Sequence, residues 1–279
     1  MVDYISGLNG ADLFVPAKAA TIYSAHEQSL FLGGEVIPVV NAPNGVLQVP
    51  TIAKGAATVV GAENDGGSPA TSTGDIANIL PTIDSTPIAA KLYAARSVVR
   101  DLGNIDPNEI GRSLGMSVAA SFDAAVMTAI KAGTGTGLTT QDLATADTIT
   151  VTDIAKAVGS IRGAGETGQL VGLVSATDYA SLMTAIGSTA FAGGDLFQGQ
   201  ALRSGFFGNI MGVQLFVTSY LDNGVAIMGQ DAMRIGMQRN VDLEIARRAE
   251  AVGVDCVASL MAGVGVVDGT RGRWVKNAA

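Results

Sequence analysis

The sequence predicts an α+β fold, and three observations support that prediction. A long helix signal runs from 107 to 132, a pattern of strand, polar tip and strand covers residues 35–95, and helices alternate with strands in residues 138–224. Alternation within one block is typical of a compact α/β layer. The long helix stands between the ribbon and this block, so we interpret it as a spine on which the rest of the chain packs.

The spine helix has clear start and stop signals. Asp106 is a suitable N-cap, Pro107 takes the first helical position and Glu109 follows three residues after the cap. Alternating glycines from Gly133 onward end the helix. Each step of four residues turns an apolar stripe by about 40°, so we expect several partners to pack around this helix. The large apolar residues that recur at every fourth position are Ile110, Leu114, Val118, Phe122, Val126 and Ile130.

Residues 1–34 and 35–95 lack the pattern of an independent core. The first segment contains Pro16 and scattered apolar residues without sustained amphipathic order, so we expect an arm that lies across another surface. The second contains several prolines, which disfavour a central position in a sheet, and a polar tip at Gly61–Asp75. An isolated two-stranded ribbon is marginal in water, so we expect this one to rest on a neighbour.

The remaining chain has recognisable helix and strand signals. A capping-box pattern at Thr150 starts a helix that runs to Arg162, and Ser175 with Asp178 starts another. Strands are expected at 170–175, 213–219 and 225–228. Alternation at 241–246 predicts a half-buried strand, 252–267 is a longer apolar segment, and 269–272 is a turn.

The composition points towards a surface that meets other protein. Hydrophobic residues make up 48% of the chain and charged residues only 15%, with a formal net charge of −8. A surface with so few charges is a liability for a free monomer, although an Ala/Gly-rich protein without such contacts fits the composition equally well. We identify no basic block for nucleic acid, no apolar run long enough for a membrane span and no signal peptide.

The residues that carry chemistry are scarce. His26 is the only histidine and Cys256 the only cysteine, which excludes histidine- or cysteine-rich metal sites. A Ser-His-Asp triad would have to use His26, which lies in the predicted arm. We interpret Cys256 as a small core residue. The G-x-G-x-x-G match at 163–168 follows a helix and precedes a strand, the reverse of a dinucleotide site.

Two carboxylate pairs remain, and both are interpreted as solvated surface. They are Asp242 with Glu244 on a strand and Glu63 with Asp65 in the loop tip. We therefore expect no catalytic residue, no cofactor, no metal site and no enzymatic activity. An enzyme that uses carboxylates alone stays open at this point.

The order of the parts resembles the major capsid proteins of tailed phages, which have the Hong Kong 97-like fold. Three stretches carry the resemblance: residues 91–101 before the spine, 208–219 with its Gly-Asn-Ile-Met-Gly-Val run, and the turn Asp268–Gly272. The resemblance covers nearly the whole chain. It implies an N-terminal arm at 1–34, an extended loop at 35–95, a peripheral domain at 96–137 and 225–279 with the spine helix 107–132, and an axial domain at 138–224.

The resemblance also implies a function and partners. The chain would assemble with itself into pentamers and hexamers of an icosahedral shell around double-stranded DNA, without sequence-specific DNA binding and without a membrane. It would be located in the virion after assembly in the host cytoplasm. Further partners would be a portal, a separate scaffolding protein and decoration proteins. An encapsulin-like compartment shell with the same fold is the alternative, and an α/β enzyme is the third.

A covalent link between subunits is not expected. Some members of the family join a ribbon lysine to an asparagine near the C-terminal strands. Lys54 is available for such a bond, but no asparagine occurs between Val241 and Lys276.

Overall fold

The computed structural model describes residues 10–52, 83–99, 106–144, 149–187, 211–221, 223–248 and 253–276. Within these ranges four helices and eleven strands form an α+β fold with three sheets. The α+β class is therefore confirmed. Several predictions fall outside the described residues, namely the ribbon tip Gly61–Asp75, its carboxylates Glu63 and Asp65, and Lys54.

The spine helix α2 extends over Pro107–Lys131, as predicted. The carboxylate of Asp106 accepts a hydrogen bond from the Asn108 amide at 2.9 Å and caps the first turn. Phe122 is fully buried, and its ring meets that of Tyr93 edge-on with 5.5 Å between centroids. The helix contacts another helix and three strands, so the expectation of several partners is confirmed.

A four-stranded sheet lies against α2. Its strands are β1 (Val39–Asn41), β4 (Lys91–Val99), β9 (Met233–Arg248) and β10 (Gly253–Val266), in the order β1, β9, β10, β4. Val241 and Leu243 of β9 are buried while Glu244 is exposed, which confirms the predicted alternation. Cys256 on β10 is buried in the same core, as expected of a small core residue.

A mixed five-stranded sheet forms the second layer. It contains β5 (Thr139–Asp142), β6 (Leu170–Ser175), β7 (Val213–Thr218), β8 (Val225–Gly229) and β11 (Gly272–Lys276), in the order β5, β11, β8, β6, β7. Helices α3 (Val151–Gly163) and α4 (Ala176–Gly187) accompany it. The capping box at Thr150 is present, and Ser175 accepts a hydrogen bond from the Asp178 amide at 3.0 Å, so both predicted helix starts are confirmed.

The predicted ribbon is present at its base. Strands β2 (Val46–Ile52) and β3 (Ile83–Ala89) form a two-stranded antiparallel sheet. Pro50 and Pro87 lie within this sheet. Both strands are edge strands, so a proline, which has no N–H to donate, is tolerated in each. A Cβ at Gly265 of β10 would lie 2.6 Å from the Ile88 side chain, so the base of the ribbon packs against its own chain.

The N-terminal segment, which was expected to lie across another surface, contains a helix that was not predicted. Residues Gly10–Gln28 form helix α1, with Pro16 inside it, and this helix packs on α2 of the same chain. From residue 16 onward the fully buried residues of this helix are small, namely Ala17, Thr21, Ser24 and Ala25.

One helix in the described part of the chain, Asn108–Lys131, is long and apolar enough to cross a membrane by length and composition, and 50% of its most apolar window is buried inside the protein. A buried core helix passes the same test, so this finding is weak support for a membrane span.

Candidate functional site

The described residues that were considered for catalysis have structural partners. His26 lies on α1, where its Nε2 is 3.3 Å from the side-chain oxygen of Asn240. Asp242 forms an ion pair with Lys18 at 2.6 Å, and this pair holds the pKa of the Asp242 carboxyl below its usual value. Among the described residues no three His, Cys, Asp or Glu side chains are grouped as a metal site.

The G-x-G-x-x-G match also has a structural explanation. Helix α3 ends at Gly163 and strand β6 begins at Leu170, so the motif joins a helix to a strand as predicted. Arg162 donates from Nη1 to the carbonyl oxygens of Glu166 and Gly168 at 3.1 and 2.7 Å. The carbonyl groups of this loop are thus bound by a cation from the same helix, an arrangement unlike a phosphate site.

One face of the four-stranded sheet is partly exposed among the described residues, beyond the place where Ile88 and Ala89 of the ribbon base pack on Gly263 and Gly265 of β10. Because side chains alternate along a strand, Tyr93 of β4 points to α2 while its neighbours point away from it. Leu92 is 60% exposed and Val98 is 40% exposed on that outer face. On β10, Met261 pairs with Leu92 in register and continues the apolar surface.

Charged side chains on the same face are paired within the subunit. Arg96 donates from Nε to Asp255 at 2.8 Å, and Arg239 donates from Nη2 to the Ser259 hydroxyl at 2.6 Å. Arg96 and Asp255 therefore satisfy each other without a partner molecule. The outer face presents apolar side chains together with the Arg96–Asp255 ion pair, a combination that suits protein contact better than binding of a charged ligand.

A second surface feature lies where α1 crosses α2. A shallow groove of about 410 Å³ runs between the two helices and is lined mainly by small residues of α1. Tyr23 borders it and is 75% exposed, and Arg112 of α2 lies on the other side. The helices themselves are in close contact, since the Ser24 hydroxyl donates to the Arg112 carbonyl oxygen at 3.2 Å.

A buried carboxylate fixes the exit from α1. Asp123 of α2 is buried and accepts hydrogen bonds from the Ser29 hydroxyl at 2.6 Å and from the Leu30 amide at 3.0 Å. Burial raises the pKa of this carboxyl, and the two donors offset part of that effect. The sequence analysis missed Asp123, although a lone acidic residue on the apolar part of the spine is a visible signal.

Comparison with known proteins shows which structures share this fold. No protein-family model and no curated protein matches the chain. Solved structures do match over almost the whole length. The virus-like particle of Pyrococcus furiosus matches with a TM-score of 0.65 at 13% identity, covering 94% of this chain and 99% of that one. The fold is that of a capsid protein.

Other matched structures agree with this assignment. The capsid of a native GTA particle has a TM-score of 0.62 at 18% identity, with 90% of this chain and 97% of that chain covered. The capsid of Ralstonia phage GP4 has a TM-score of 0.64 at 11% identity and covers 90% and 92%. The expectation of the Hong Kong 97-like fold is confirmed. Matches at such low sequence identity show a shared fold, and the function needs its own argument.

Proposed function

We propose that the chain is the major capsid protein of a tailed phage and assembles into pentamers and hexamers of an icosahedral shell. The observation that carries the proposal is end-to-end agreement with capsid structures, which cover 90% or more of this chain in the GTA and Ralstonia phage cases. Those proteins are capsids rather than enzymes, so the enzyme alternative gains no support from them. The exposed apolar part of the sheet face around Leu92 supplies a surface for neighbouring copies.

Electron microscopy of the purified full-length chain tests this proposal directly. We expect closed particles of uniform diameter, with pentameric and hexameric units in class averages. Material from its natural source should contain DNA that resists nuclease until the particles are opened. Monomers or small oligomers at every protein and salt concentration tried would contradict the proposal.

A compartment shell of the encapsulin kind is the second candidate. It is kept because the virus-like particle of Pyrococcus furiosus matches this chain at least as well as the phage capsids do. Both candidates predict closed shells, so the contents decide between them. Nuclease-resistant DNA favours the capsid, and a defined enzyme found inside the particles by mass spectrometry favours the compartment.

We infer that the ribbon of one copy rests on the outer sheet face of the next copy. Strands β2 and β3 form a ribbon only two strands wide, and although its base packs on β10 of its own chain, Val46 there is 44% exposed and brings apolar surface. The outer face around Leu92 has matching apolar surface and internally paired charges. Burial between copies satisfies both surfaces at once.

Leu92→Asp tests this contact. An aspartate at this position places an unpaired charge in the contact between copies, so we expect particle yield to fall at least about tenfold. The melting temperature of the unassembled subunit should stay within about 2 °C of wild type because residue 92 is exposed there. Leu92→Met is the matched control and should assemble normally. Loss of subunit melting stability in Leu92→Asp, or normal assembly, would refute this role.

The remaining partners are part of the same proposal. A portal, a separate scaffolding protein and decoration proteins would complete the particle, which would be assembled in the host cytoplasm. The shell would hold DNA by volume rather than by tight phosphate contacts, since the chain has a formal net charge of −8. Accordingly, we expect free subunits to show no measurable affinity for duplex DNA at physiological ionic strength.

A further inference from the structure

Three segments carry the chain between its two main sheets, and they meet at one place. They are residues 132–138 after α2, 230–232 between β8 and β9, and 267–271 between β10 and β11. The amides of Val267 and Asp268 donate to the Ala232 carbonyl oxygen at 2.9 and 3.2 Å. The Thr139 hydroxyl donates to the Gly269 carbonyl oxygen at 2.8 Å. We call this place the crossing point of the two sheets.

Arg271 is the central side chain of the crossing point. Its Nη1 donates to Asp231 Oδ2 at 2.8 Å, and its Nε donates to Asp268 Oδ2 at 3.1 Å. The other oxygen of Asp231 accepts from Arg234 Nη2 at 2.8 Å. The guanidinium thus ties segment 230–232 to segment 267–271.

A third carboxylate lies beside the same guanidinium without being bound by it. Glu166, in the connection from α3 to β6, is 4% exposed, and its Oε1 accepts from the Gly168 amide at 2.8 Å. Its Oε2 has no hydrogen-bond partner among the described residues and lies 3.9 Å from Arg271 Nη1. A buried carboxylate oxygen without a donor is costly, which makes this oxygen a strong acceptor for the nearest cation.

The surroundings of Glu166 keep its carboxylate in that position. A Cβ at Gly229, the last residue of β8, would lie 2.5 Å from the Glu166 carboxylate, so the side chain is seated directly on the strand end. Glu166 therefore has little room to turn away. A move of about 1 Å by Nη1 is enough to reach charge-assisted hydrogen-bond distance of Oε2.

We propose that Arg271 is a latch with two positions at the crossing point of the sheets. In the first, Nη1 binds Asp231, as in this structure. In the second, Nη1 binds Glu166 and leaves Asp231 with Arg234 alone. Asp231 is 52% exposed, so water replaces its lost partner, while Glu166 Oε2 gains a donor, and the second position is therefore accessible from the first.

The second position has a structural consequence. It removes the ionic tie between segments 230–232 and 267–271, so that only backbone hydrogen bonds join them. The hold between these two segments is then weaker. The latch is a property of the single chain and does not depend on what the chain assembles into.

A double-mutant cycle on the full-length unassembled subunit tests the latch. In the wild-type background Glu166→Gln should change the folding equilibrium constant by less than about threefold, because Oε2 has no donor to lose. In the Asp231→Asn background Arg271 should bind Glu166, so Glu166→Gln should then lower the constant at least about tenfold. Equal effects in the two backgrounds would overturn the proposal.

Glu244→Gln is the matched control for the cycle. Glu244 also lies 3.9 Å from an arginine, Arg239, but its side chain is 69% exposed. Its substitution should have the same small effect in both backgrounds. If the Asp231→Asn protein is too unstable for equilibrium unfolding, hydrogen exchange gives a second readout: the Val267 and Asp268 amides should exchange faster in that variant while the Gly168 amide stays protected. Faster exchange at all three amides would also overturn the latch.

Discussion

Gly115→Ala probes the close contact between α1 and α2. A Cβ at residue 115 would lie closer than 3.0 Å to both the Thr21 carbonyl oxygen and the Ser24 hydroxyl of α1. The carbonyl belongs to a helix backbone, so it yields only if α1 as a whole moves away from α2. That movement also breaks the hydrogen bond from Ser24 to the Arg112 carbonyl oxygen.

The expected magnitude follows from three contributions. Overpacking costs about 1–3 kcal/mol, the lost hydrogen bond costs about 1 kcal/mol, and replacing glycine by alanine inside a helix returns about 1 kcal/mol. We therefore expect a net destabilisation of about 1–3 kcal/mol. Urea unfolding of the unassembled subunit measures this loss, provided that the slope of the free energy of unfolding against urea concentration is the same as in wild type.

Gly159→Ala is the control with the opposite expected sign. Gly159 is an exposed residue inside α3, and a Cβ there would have nothing within 4 Å. Only the helix-propensity gain remains, so this variant should be stabilised by about 0.5–1 kcal/mol. If Gly115→Ala is stabilised by the same amount, α1 does not pack closely on α2 and the reasoning is refuted.

Three further substitutions test the core and its buried carboxylates, each by urea unfolding of the subunit. Phe122→Ala should cost about 3–5 kcal/mol because the ring is fully buried, whereas Met116→Ala on the exposed side of the same helix should cost less than about 1 kcal/mol; similar losses would mean that the spine is not the core. Asp123→Asn should remove a pH dependence of the free energy of unfolding. Burial raises the pKa of the Asp123 carboxyl in the folded state above 3.8. The carboxyl therefore stabilises the fold fully below pH 3.8, and this contribution is lost as the pH rises through the raised pKa. The stability difference, wild type minus variant, should therefore fall with rising pH and then level off, and a difference that rises instead would contradict this account. Asp178→Ala should cost about 1–3 kcal/mol, since the Gly224 amide donates to this buried carboxylate at 2.7 Å and would be left unpaired, and an unchanged stability would show that the bond is unimportant.

Strong local signals in the sequence were sufficient for much of the fold. Asp106 and Pro107 located the start of the spine, and a Thr150 capping box located α3, because caps depend on residues that are adjacent in sequence. Alternation along β9 identified the buried positions Val241 and Leu243. Such patterns are read within one element, so they need no knowledge of what packs against it.

Helix α1 was not predicted because the face of α2 on which it packs is formed by glycines. Ala17, Thr21 and Ala25 recur at every fourth position, and on α2 the pair Gly111 and Gly115 has the same spacing. Each stripe alone does not indicate a packing face, and only the two together indicate a close helix contact. A search for matching stripes of small residues in both segments would have found it, whereas a search for large apolar residues does not.

Domain boundaries are harder to read than elements, and the crossing point explains why. The sequence analysis grouped residues 225–279 with the spine, yet β8 and β11 from that range lie inside the mixed sheet beside β6 and β5. Three separate segments pass between the sheets, so neither sheet is a continuous stretch of chain. A boundary drawn at one position must then cut a strand pair, and the proposed division into peripheral and axial domains stays a prediction. Side chains of both sheets, among them Leu260 and Trp274, also belong to one hydrophobic core, so the packing that joins the sheets does not follow a sequence boundary either.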